Sequence, residues 1–538
     1  MRGIVKAFRR PPAVRPPDRN GGFPRLSDGV AQGLRCLASL RHALLAESLG
    51  KPSLWVIIKD LWYKGRDITG QDEQGATMSD TKMWGGEEFW GLGYDFDPQW
   101  LLTPEQRELQ STLIDLCQQT MRDNAVESDK QLLFPRENFR LLAENGFLGL
   151  LVSKELGGMG QDHVCAAMAV ETIARYGCPS TAMCYTMHLS AVAAAMLRHH
   201  GNEAIQDIMR RIDTDCLVGT LSYSDPETGS HFWYPISSSA ERVDEGWKVS
   251  KKASWTTSGG FADWYVVQTT SPDFAGDYSN LSCFLILGDE IEADPASWDG
   301  MGLRGNQSGP IKVNNLVIPE NRLIGAVGDG ADSNDEAVDP FFLLCSSSCW
   351  NGIAMAMIDI TKAHTTRKKH VDVGLRVCDY PTIQDYVGEA IIDTNTSRAF
   401  TFQMAKAMDD ATGGCDWSIH EDASVLPRAD YLPWMWQVKF CAAKNVTHVS
   451  DKMLHACGGT GYKPALGIER YLRDGKAGWV MGPTNEVLRQ FVGKYALLGF
   501  DSLDYWNQAV NERVLSNEIK KLDKDAKKAL AEKLLAET

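Results

Sequence analysis

The stretch WTTSGGFADWYVVQTTS, residues 255–271, decides the fold class of this 538-residue chain. Aromatic, Val and Thr residues surround a Gly-Gly pair, which is typical of short strands joined by a tight turn. Segments of the same kind lie on both sides of it, from CLVGTLSYSD at 216–225 to IKVNNLVIP at 311–319. We therefore predict a small antiparallel β-barrel domain over residues 216–330.

Helical periodicity dominates the sequence before and after this β domain. Thr103 is a plausible N-cap with Pro104 at the first helical position, and apolar helical spacing resumes after Asp339 in three long segments. Three consecutive long helices imply a bundle, so the predicted class is α+β. The predicted limits are a poorly structured N-terminal extension at 1–77, a helical domain at 98–215, the β domain at 216–330, a C-terminal four-helix bundle at 335–500 and a charged helical tail at 501–538.

Composition restricts the classes of function. The chain is 43% hydrophobic and 23% charged with a net charge of -15, which is typical of a globular protein and argues against a nucleic-acid binder. No apolar run approaches the roughly 20 residues that cross a bilayer. The 13 cysteines show no CxxC pair, so we expect reduced thiols and no metal site.

The N-terminal 77 residues have a different charge from the rest. They contain 13 Lys and Arg against 7 Asp and Glu, whereas the whole chain contains 55 against 70. One interpretation is a mitochondrial transit peptide, which would place the protein in the matrix. We favour an upstream extension that does not join the fold, and a cytoplasmic protein, because Asp18, Asp28 and Glu47 interrupt the basic face of a transit helix.

Several strings occur in an informative order along the chain. They are SDPETGS at 224–230, WTTSGGFADWY at 255–265, MGLRGNQSG at 301–309, VIPENRLIG at 317–325, HACGGTGY at 455–462 and ERYLRDGKAGWVMGPTNEVLRQ at 469–490. Together with the order of helices, β domain and helices, they resemble the acyl-CoA dehydrogenase superfamily over about residues 98–498. The resemblance implies that family's fold, FAD as the cofactor and an acyl-CoA or related small molecule as the substrate.

The residues of the β domain suit a flavin, which needs an apolar plane and hydrogen-bond donors along its edge. The resemblance implies that Thr257 faces the reactive N5 edge, that Trp255 packs beside the ring, and that Ser224 holds the pyrimidine end. The alternative is that Trp255 and Thr257 merely alternate on a half-buried strand. The predicted cofactor-binding residues are Tyr223, Ser224, Ser230, Trp255, Thr257, Arg367, Lys368, His455, Gly458, Gly459, Thr484 and Glu486.

The glycine pair 458–459 permits close backbone approach to a phosphate or ribose, or else forms a helix C-terminal turn. The resemblance implies that these glycines and His455 contact the adenine half of FAD bound by a neighbouring subunit, and hence a homodimer or homotetramer. Arg367 or Lys368 would meet the pyrophosphate, although a solvated basic patch explains them equally well.

Both positions at which the family keeps its catalytic carboxylate have lost it. By resemblance these positions are Gly482 and Phe342, and neither side chain can accept a proton. Asp339 lies one helical turn before Phe342 and is a candidate replacement, as are His455 and Asp225.

Three hypotheses follow for the reaction. The first is an FAD-dependent oxidoreductase of acyl thioesters with a relocated base, passing electrons to an electron-transfer flavoprotein or to oxygen. The second is a flavin monooxygenase or a non-oxidising acyl-CoA lyase or desulfinase, in which Phe341, Phe342 and Met481 form a dry lining. The alternative for the aromatic side chains is ordinary helix packing. The third is a catalytically silent scaffold that binds FAD or CoA.

Overall fold

The structure, a computed structural model, describes residues 101–229, 235–274, 280–499 and 515–536. The predicted extension at 1–77 lies outside these residues, so its role and the compartment of the protein stay predictions. The described helices are α1 Pro104–Leu116, α2 Arg122–Gln131, α3 Arg136–Glu144, α4 His163–Tyr176, α5 Pro179–Leu197, α6 Glu203–Arg211, α7 Gly330–Ser333, α8 Asp339–Arg367, α9 Pro381–Thr412, α10 Leu432–Gly461, α11 Ile468–Val480, α12 Asn485–Leu498 and α13 Lys524–Ala536.

The N-terminal helical region begins where the sequence predicts. The side chain of Thr103 accepts a hydrogen bond from the backbone of Gln106, and the Gln106 side chain accepts one from the backbone of Thr103. This capping box satisfies two of the donors that a helix leaves free at its start. A π-helical turn at Cys117–Met121 joins α1 to α2, so the helical segment continues to Gln131.

The middle region is one eight-stranded sheet, which confirms the predicted sheet domain. Its strands are β1 Gly219–Ser222, β2 Ser239–Val243, β3 Gly246–Ala253, β4 Trp264–Thr270, β5 Leu281–Leu287, β6 Glu292–Ala293, β7 Ile311–Ile318 and β8 Leu323–Ile324. They pair in the order β6-β7-β3-β2-β4-β5-β8, and β1 joins β4. The end strands β6 and β8 do not pair with each other, so the predicted barrel is an open sheet. Most neighbours are antiparallel as predicted, but β1 and β2 each pair with β4 in parallel. Alternation in the sequence predicts a strand and its buried face, whereas the direction of pairing depends on the path of the chain.

The C-terminal region packs the long helices α8, α9 and α10 with the shorter α11 and α12. A two-stranded hairpin, β9 Lys369–His370 and β10 Leu375–Arg376, connects α8 to α9. The segment Gly330–Arg367 is long and apolar enough to cross a membrane, yet its most apolar window is wholly buried inside the protein. Such burial is typical of a core helix that neighbouring helices surround on all sides.

Two hydrophobic clusters divide the core. The larger one joins the helices to one face of the sheet and includes Trp264 and Trp350, while the smaller one lies on the other face around Trp247 and Phe284. The strand β4 contributes to both, because Trp264 and Val266 belong to the first cluster and Tyr265 and Val267 to the second. This central strand is therefore buried on both faces, whereas β2 and β7 each leave one face exposed.

Candidate functional site

The two segments predicted to form the ring wall lie side by side. The hydroxyl of Thr220 on β1 donates to the carbonyl oxygen of Thr257 at 2.7 Å, and the Thr257 hydroxyl lies 2.9 Å from that of Ser308. The backbone N–H of Ser258 donates to Asn306 O at 2.8 Å. The end of β1, the turn after β3 and the loop before β7 therefore form one rigid surface.

A buried lysine supports the turn at Tyr223–Asp225. Lys251 Nζ donates to Tyr223 O at 2.7 Å and to Gln268 O at 2.9 Å. Burial lowers the pKa of this lysine to about 7. The prediction missed Lys251, although Trp247, Val249 and Lys251 alternate on the buried face of one strand and a lysine there is unusual.

The carboxylate of Asp225 shapes the same turn. It accepts hydrogen bonds from the backbone N–H groups of Glu227 at 3.0 Å, Thr228 at 3.1 Å and Ser237 at 2.7 Å. The Thr228 hydroxyl donates to the same carboxylate at 3.1 Å, so its oxygens are engaged by the turn itself. Asp225 is therefore a turn residue and not the base.

A buried hydroxyl beside Thr257 tests whether this surface fits a polar ring edge. Thr256 Oγ1 is buried and finds no hydrogen-bond partner among the described residues. Buried polar groups are normally bonded, so this hydroxyl suits a bound group with polar atoms of its own. Trp255 is 68% exposed and meets Trp298 edge to face at 5.4 Å between ring centroids, which leaves much of the indole uncovered. Ser230 lies outside the described residues.

The glycine pair of α10 lies on an exposed surface. Gly458 has φ 55° and ψ -145°, a backbone conformation that residues with a Cβ avoid, and it kinks the helix. A Cβ added at Gly458 or Gly459 would meet no atom within 4 Å. His455, one turn earlier, is also exposed and its ring lies 6.3 Å from that of Tyr386. This open surface has room for a group that comes from outside the chain.

The two cations at the end of α8 are also exposed. Arg367 donates from Nε to Ala363 O at 2.7 Å, and Lys368 is the C-cap residue of the helix. Neither is among the residues that form the Thr257 surface described above. Exposure suits both a contact with a neighbouring chain and a solvated basic patch, so the role of these cations stays a prediction.

The turn between α11 and α12 carries Gly482, the first of the two positions at which the resemblance implies a base. Lys439 on α10 is fully buried and its Nζ donates to the carbonyl oxygens of Met481 and Pro483, which flank this glycine. Thr484 caps α12 by accepting from Val487 N at 3.4 Å. Glu486 accepts from Trp479 Nε1 at 3.2 Å.

Phe342, the second position at which the resemblance implies a base, is 7% exposed on the first turn of α8. Its neighbour Phe341 is fully buried and stacks on His163 at 4.6 Å and on Trp417 at 6.0 Å between ring centroids. Phe341 is therefore a packing residue, and its inclusion in a dry pocket lining was wrong. Asp339 is 1% exposed and lies close enough to Tyr223 to raise the pKa of its phenol, beside the larger effect of burial.

A buried polar cluster behind Phe341 also escaped prediction. The Arg428 guanidinium donates to Glu336 Oε1 at 2.8 Å and to His163 Nε2 at 2.9 Å, and its carbon lies 5.5 Å from the Phe341 ring centroid. These residues come from widely separated parts of the sequence, and no local spacing connects them. The cluster fixes the start of α8, where the second base position lies.

The family of the chain follows from comparison with known proteins. Residues 103–209 match the family model described as "Acyl-CoA dehydrogenase, N-terminal domain", and residues 344–497 match "Acyl-CoA dehydrogenase, C-terminal domain". The chain belongs to the acyl-CoA dehydrogenase superfamily. FAD, the cofactor expected from the sequence, is confirmed with this assignment.

Curated relatives of this superfamily match three quarters of the chain at low identity. Mitochondrial isovaleryl-CoA dehydrogenase of Solanum tuberosum is 23% identical over 401 residues, which are 74% of this chain and 92% of the relative. Cyclohex-1-ene-1-carbonyl-CoA dehydrogenase of Geobacter metallireducens is 24% identical over 399 residues, 74% of this chain and 99% of the relative.

Solved structures agree on the fold. A glutaryl-coenzyme A dehydrogenase in complex with glutaryl-CoA superposes with a TM-score of 0.66 at 20% identity, covering 74% of this chain and 97% of that one. The FAD complex of PigA gives 0.63 at 16% identity, covering 73% and 98%. The predicted acyl-CoA dehydrogenase fold is thereby confirmed.

Proposed function

We propose that this superfamily member is an FAD-dependent oxidoreductase of an acyl thioester in which Asp339 accepts the α-proton. The observation that supports this most directly is the position of Asp339. It is a buried carboxylate one helical turn before Phe342 and within electrostatic range of Tyr223. Residues three apart on a helix share a face, so Asp339 belongs to the same side of α8 as the position it replaces.

The helix geometry before Asp339 favours such a relocation. A π-helical turn at Asn334–Val338 precedes it directly, and π-turns shift the register of the residues that follow. Loss of a carboxylate at 342 and a new one at 339 would then be compensating changes. Bound FAD supplies the hydride acceptor for the β-carbon, while Asp339 takes the α-proton on its carboxylate.

We further propose how the chain holds FAD. Ser224 and Thr257, with Trp255 and the backbone of Tyr223, would bind the flavin half on the surface that Thr220 and Ser308 make rigid. The adenine half would be bound by the exposed surface of a second copy, in a homodimer or homotetramer. The residues proposed on that second copy are Arg367, Lys368, His455, Gly458, Gly459, Thr484 and Glu486. All of them except the half-buried Thr484 are exposed in the single chain, which supports this division.

The first experiment asks whether the purified protein is an acyl-CoA oxidoreductase. We expect a yellow protein whose flavin absorbance bleaches under anaerobic conditions with at least one member of a panel of acyl-CoA thioesters. Turnover that requires oxygen and a reduced flavin would favour a monooxygenase instead. Stoichiometric FAD with no response to any thioester would favour a silent scaffold.

A second experiment tests the base. Asp339→Asn should lower the rate at which the substrate α-hydrogen exchanges with deuterated solvent by at least 100-fold. A general base typically contributes a factor of this size. Asp332→Asn is the matched control, since this half-exposed carboxylate precedes the π-turn and should leave exchange unchanged. Adding Gly482→Glu to the Asp339→Asn variant should restore part of the exchange. Unaltered exchange in Asp339→Asn would rule out this residue.

A further inference from the structure

The ammonium of Lys439 has an unusual set of partners. It donates to Gly478 O at 2.8 Å, Pro483 O at 2.9 Å, Asn485 Oδ1 at 3.0 Å and Met481 O at 3.2 Å. All four acceptors come from the end of α11, the turn after it and the start of α12. A single side chain on a third helix, α10, therefore binds the whole turn that contains Gly482.

The chemistry of these acceptors separates Lys439 from an ordinary ion pair. Three are neutral backbone carbonyls and the fourth is a neutral amide. Burial lowers the pKa of the ammonium to about 7. A cation at the C-terminal end of α11 is partly explained by the carbonyls that every helix leaves unpaired there. Capping does not explain the bonds to Pro483 and Asn485, which lie beyond that helix.

The direction of the carbonyls has a consequence for the other side of the turn. In a trans peptide the C=O and the following N–H point in opposite directions. Because Met481 O and Pro483 O both point to the ammonium, the N–H groups of Gly482 and Thr484 point away from it. The turn thus presents two backbone donors on the face opposite to Lys439.

We propose that Lys439 is the positioning residue of the cofactor and substrate site, because it orients the 481–485 turn so that Gly482 and Thr484 present their N–H groups to the bound molecules. The inference rests on the proposed function, in which Thr484 contacts FAD and Gly482 stands at the base position. Lys439 touches neither molecule and acts through the turn. Its helix α10 also carries His455 and Gly458, so movement of the turn relative to α10 would separate two parts of the FAD contact.

The test compares FAD affinity with local hydrogen exchange. Lys439→Met removes the donors and leaves the carbonyls buried without a partner, so FAD should dissociate from the reconstituted protein at least tenfold more readily. Hydrogen exchange in the peptide 478–490 of the apoprotein should become at least tenfold faster, with α4 unchanged. Lys444→Met, an exposed lysine on the same helix, is the matched control and should change neither quantity. Asn485→Ala keeps the three hydrogen bonds from Lys439 to carbonyl oxygens and should weaken FAD binding less than threefold.

Several outcomes would overturn the inference. One is a folded Lys439→Met variant whose FAD affinity and exchange in 478–490 stay within twofold of the wild type. Another is an Asn485→Ala variant that binds FAD as weakly as Lys439→Met. That result would mean that Asn485 orients the turn. If Lys439→Met does not fold, Lys439→Gln keeps two donors and should give an intermediate effect, while wild-type values would contradict the proposal. If the wild-type protein takes up no FAD, the proposed function fails, and the exchange comparison alone still decides the role of Lys439.

Discussion

The buried Lys251 makes the stability of the protein depend on pH in a specific way. Its side chain is 1% exposed, and its pKa is lowered from 10.5 to about 7 because burial disfavours the charged form. Asp225 and Cys283 act in the opposite direction but do not offset the burial. Lys251→Met removes this titration and keeps most of the apolar stem that packs inside the sheet.

The sign and size of the effect follow from proton binding. Between pH 7 and pH 10.5 the unfolded chain binds a proton at this lysine that the folded chain does not, so the lysine's contribution to the unfolding free energy rises with pH. Each pH unit contributes up to about 1.4 kcal/mol, and between pH 7 and pH 9 the gain is about 2 kcal/mol because the folded group is still half protonated at pH 7. The wild type should therefore gain about 2 kcal/mol relative to Lys251→Met over this range.

Urea unfolding at pH 7 and pH 9, followed by tryptophan fluorescence, measures that difference. All other titrating groups are shared by the two proteins, so their contributions cancel in the comparison. Lys252→Met, the exposed next residue on the opposite face of β3, is the matched control and should show no change with pH. A difference between wild type and Lys251→Met that stays constant within about 0.5 kcal/mol would refute the reasoning.

Two further predictions concern the framework of the site. Glu171 and Arg398, each 6% exposed, join α4 to α9 through bonds of 2.9 and 2.8 Å, so Glu171→Gln should lower the unfolding free energy by about 3–5 kcal/mol. Glu320→Gln breaks an exposed ion pair with Arg242 and should lower the unfolding free energy by only about 0–1 kcal/mol in the same urea titration. Equal losses of unfolding free energy in the two variants would contradict the importance of the buried pair. Gly458→Ala should destabilise by about 1–3 kcal/mol because of its positive φ. Gly459→Ala, at a position without a positive φ, should not destabilise the protein. A Gly458→Ala variant as stable as the wild type would show that the kink in α10 is not required.

The ring surface was predictable in part because its residues are close in sequence to strong local signals. The Val, Thr and aromatic runs on either side of Trp255 predicted strands β3 and β4. The expectation that Trp255 and Thr257 lie on a strand was wrong, because the positive φ of Ser258 and Gly260 turns the chain between Ala253 and Trp264. The partners Lys251 and Ser308 were not predicted. Hydrogen bonds between segments far apart in sequence leave no trace in local periodicity.

The two expected base positions also separate what the sequence shows from what only the structure shows. The sequence alone establishes that Gly482 and Phe342 lack a carboxylate, since residue type needs no coordinates. Whether Phe341 lines a pocket or packs in the core depended on His163 and Trp417, which approach it only in the folded chain.

The sequence by itself determined the order of helical and β regions and the resemblance of its strings to one superfamily, and it predicts that both family carboxylates are missing. These features depend on residue identity and on spacing within about twenty residues. Only the tertiary structure decided that Asp225 is used within its turn, that Asp339 lies beside Tyr223, and that Lys439 holds the turn around Gly482. The positions of Asp339 and Lys439 depend on contacts between distant segments, which are set by the packing of the core, whereas the role of Asp225 depends on the backbone conformation of its own turn.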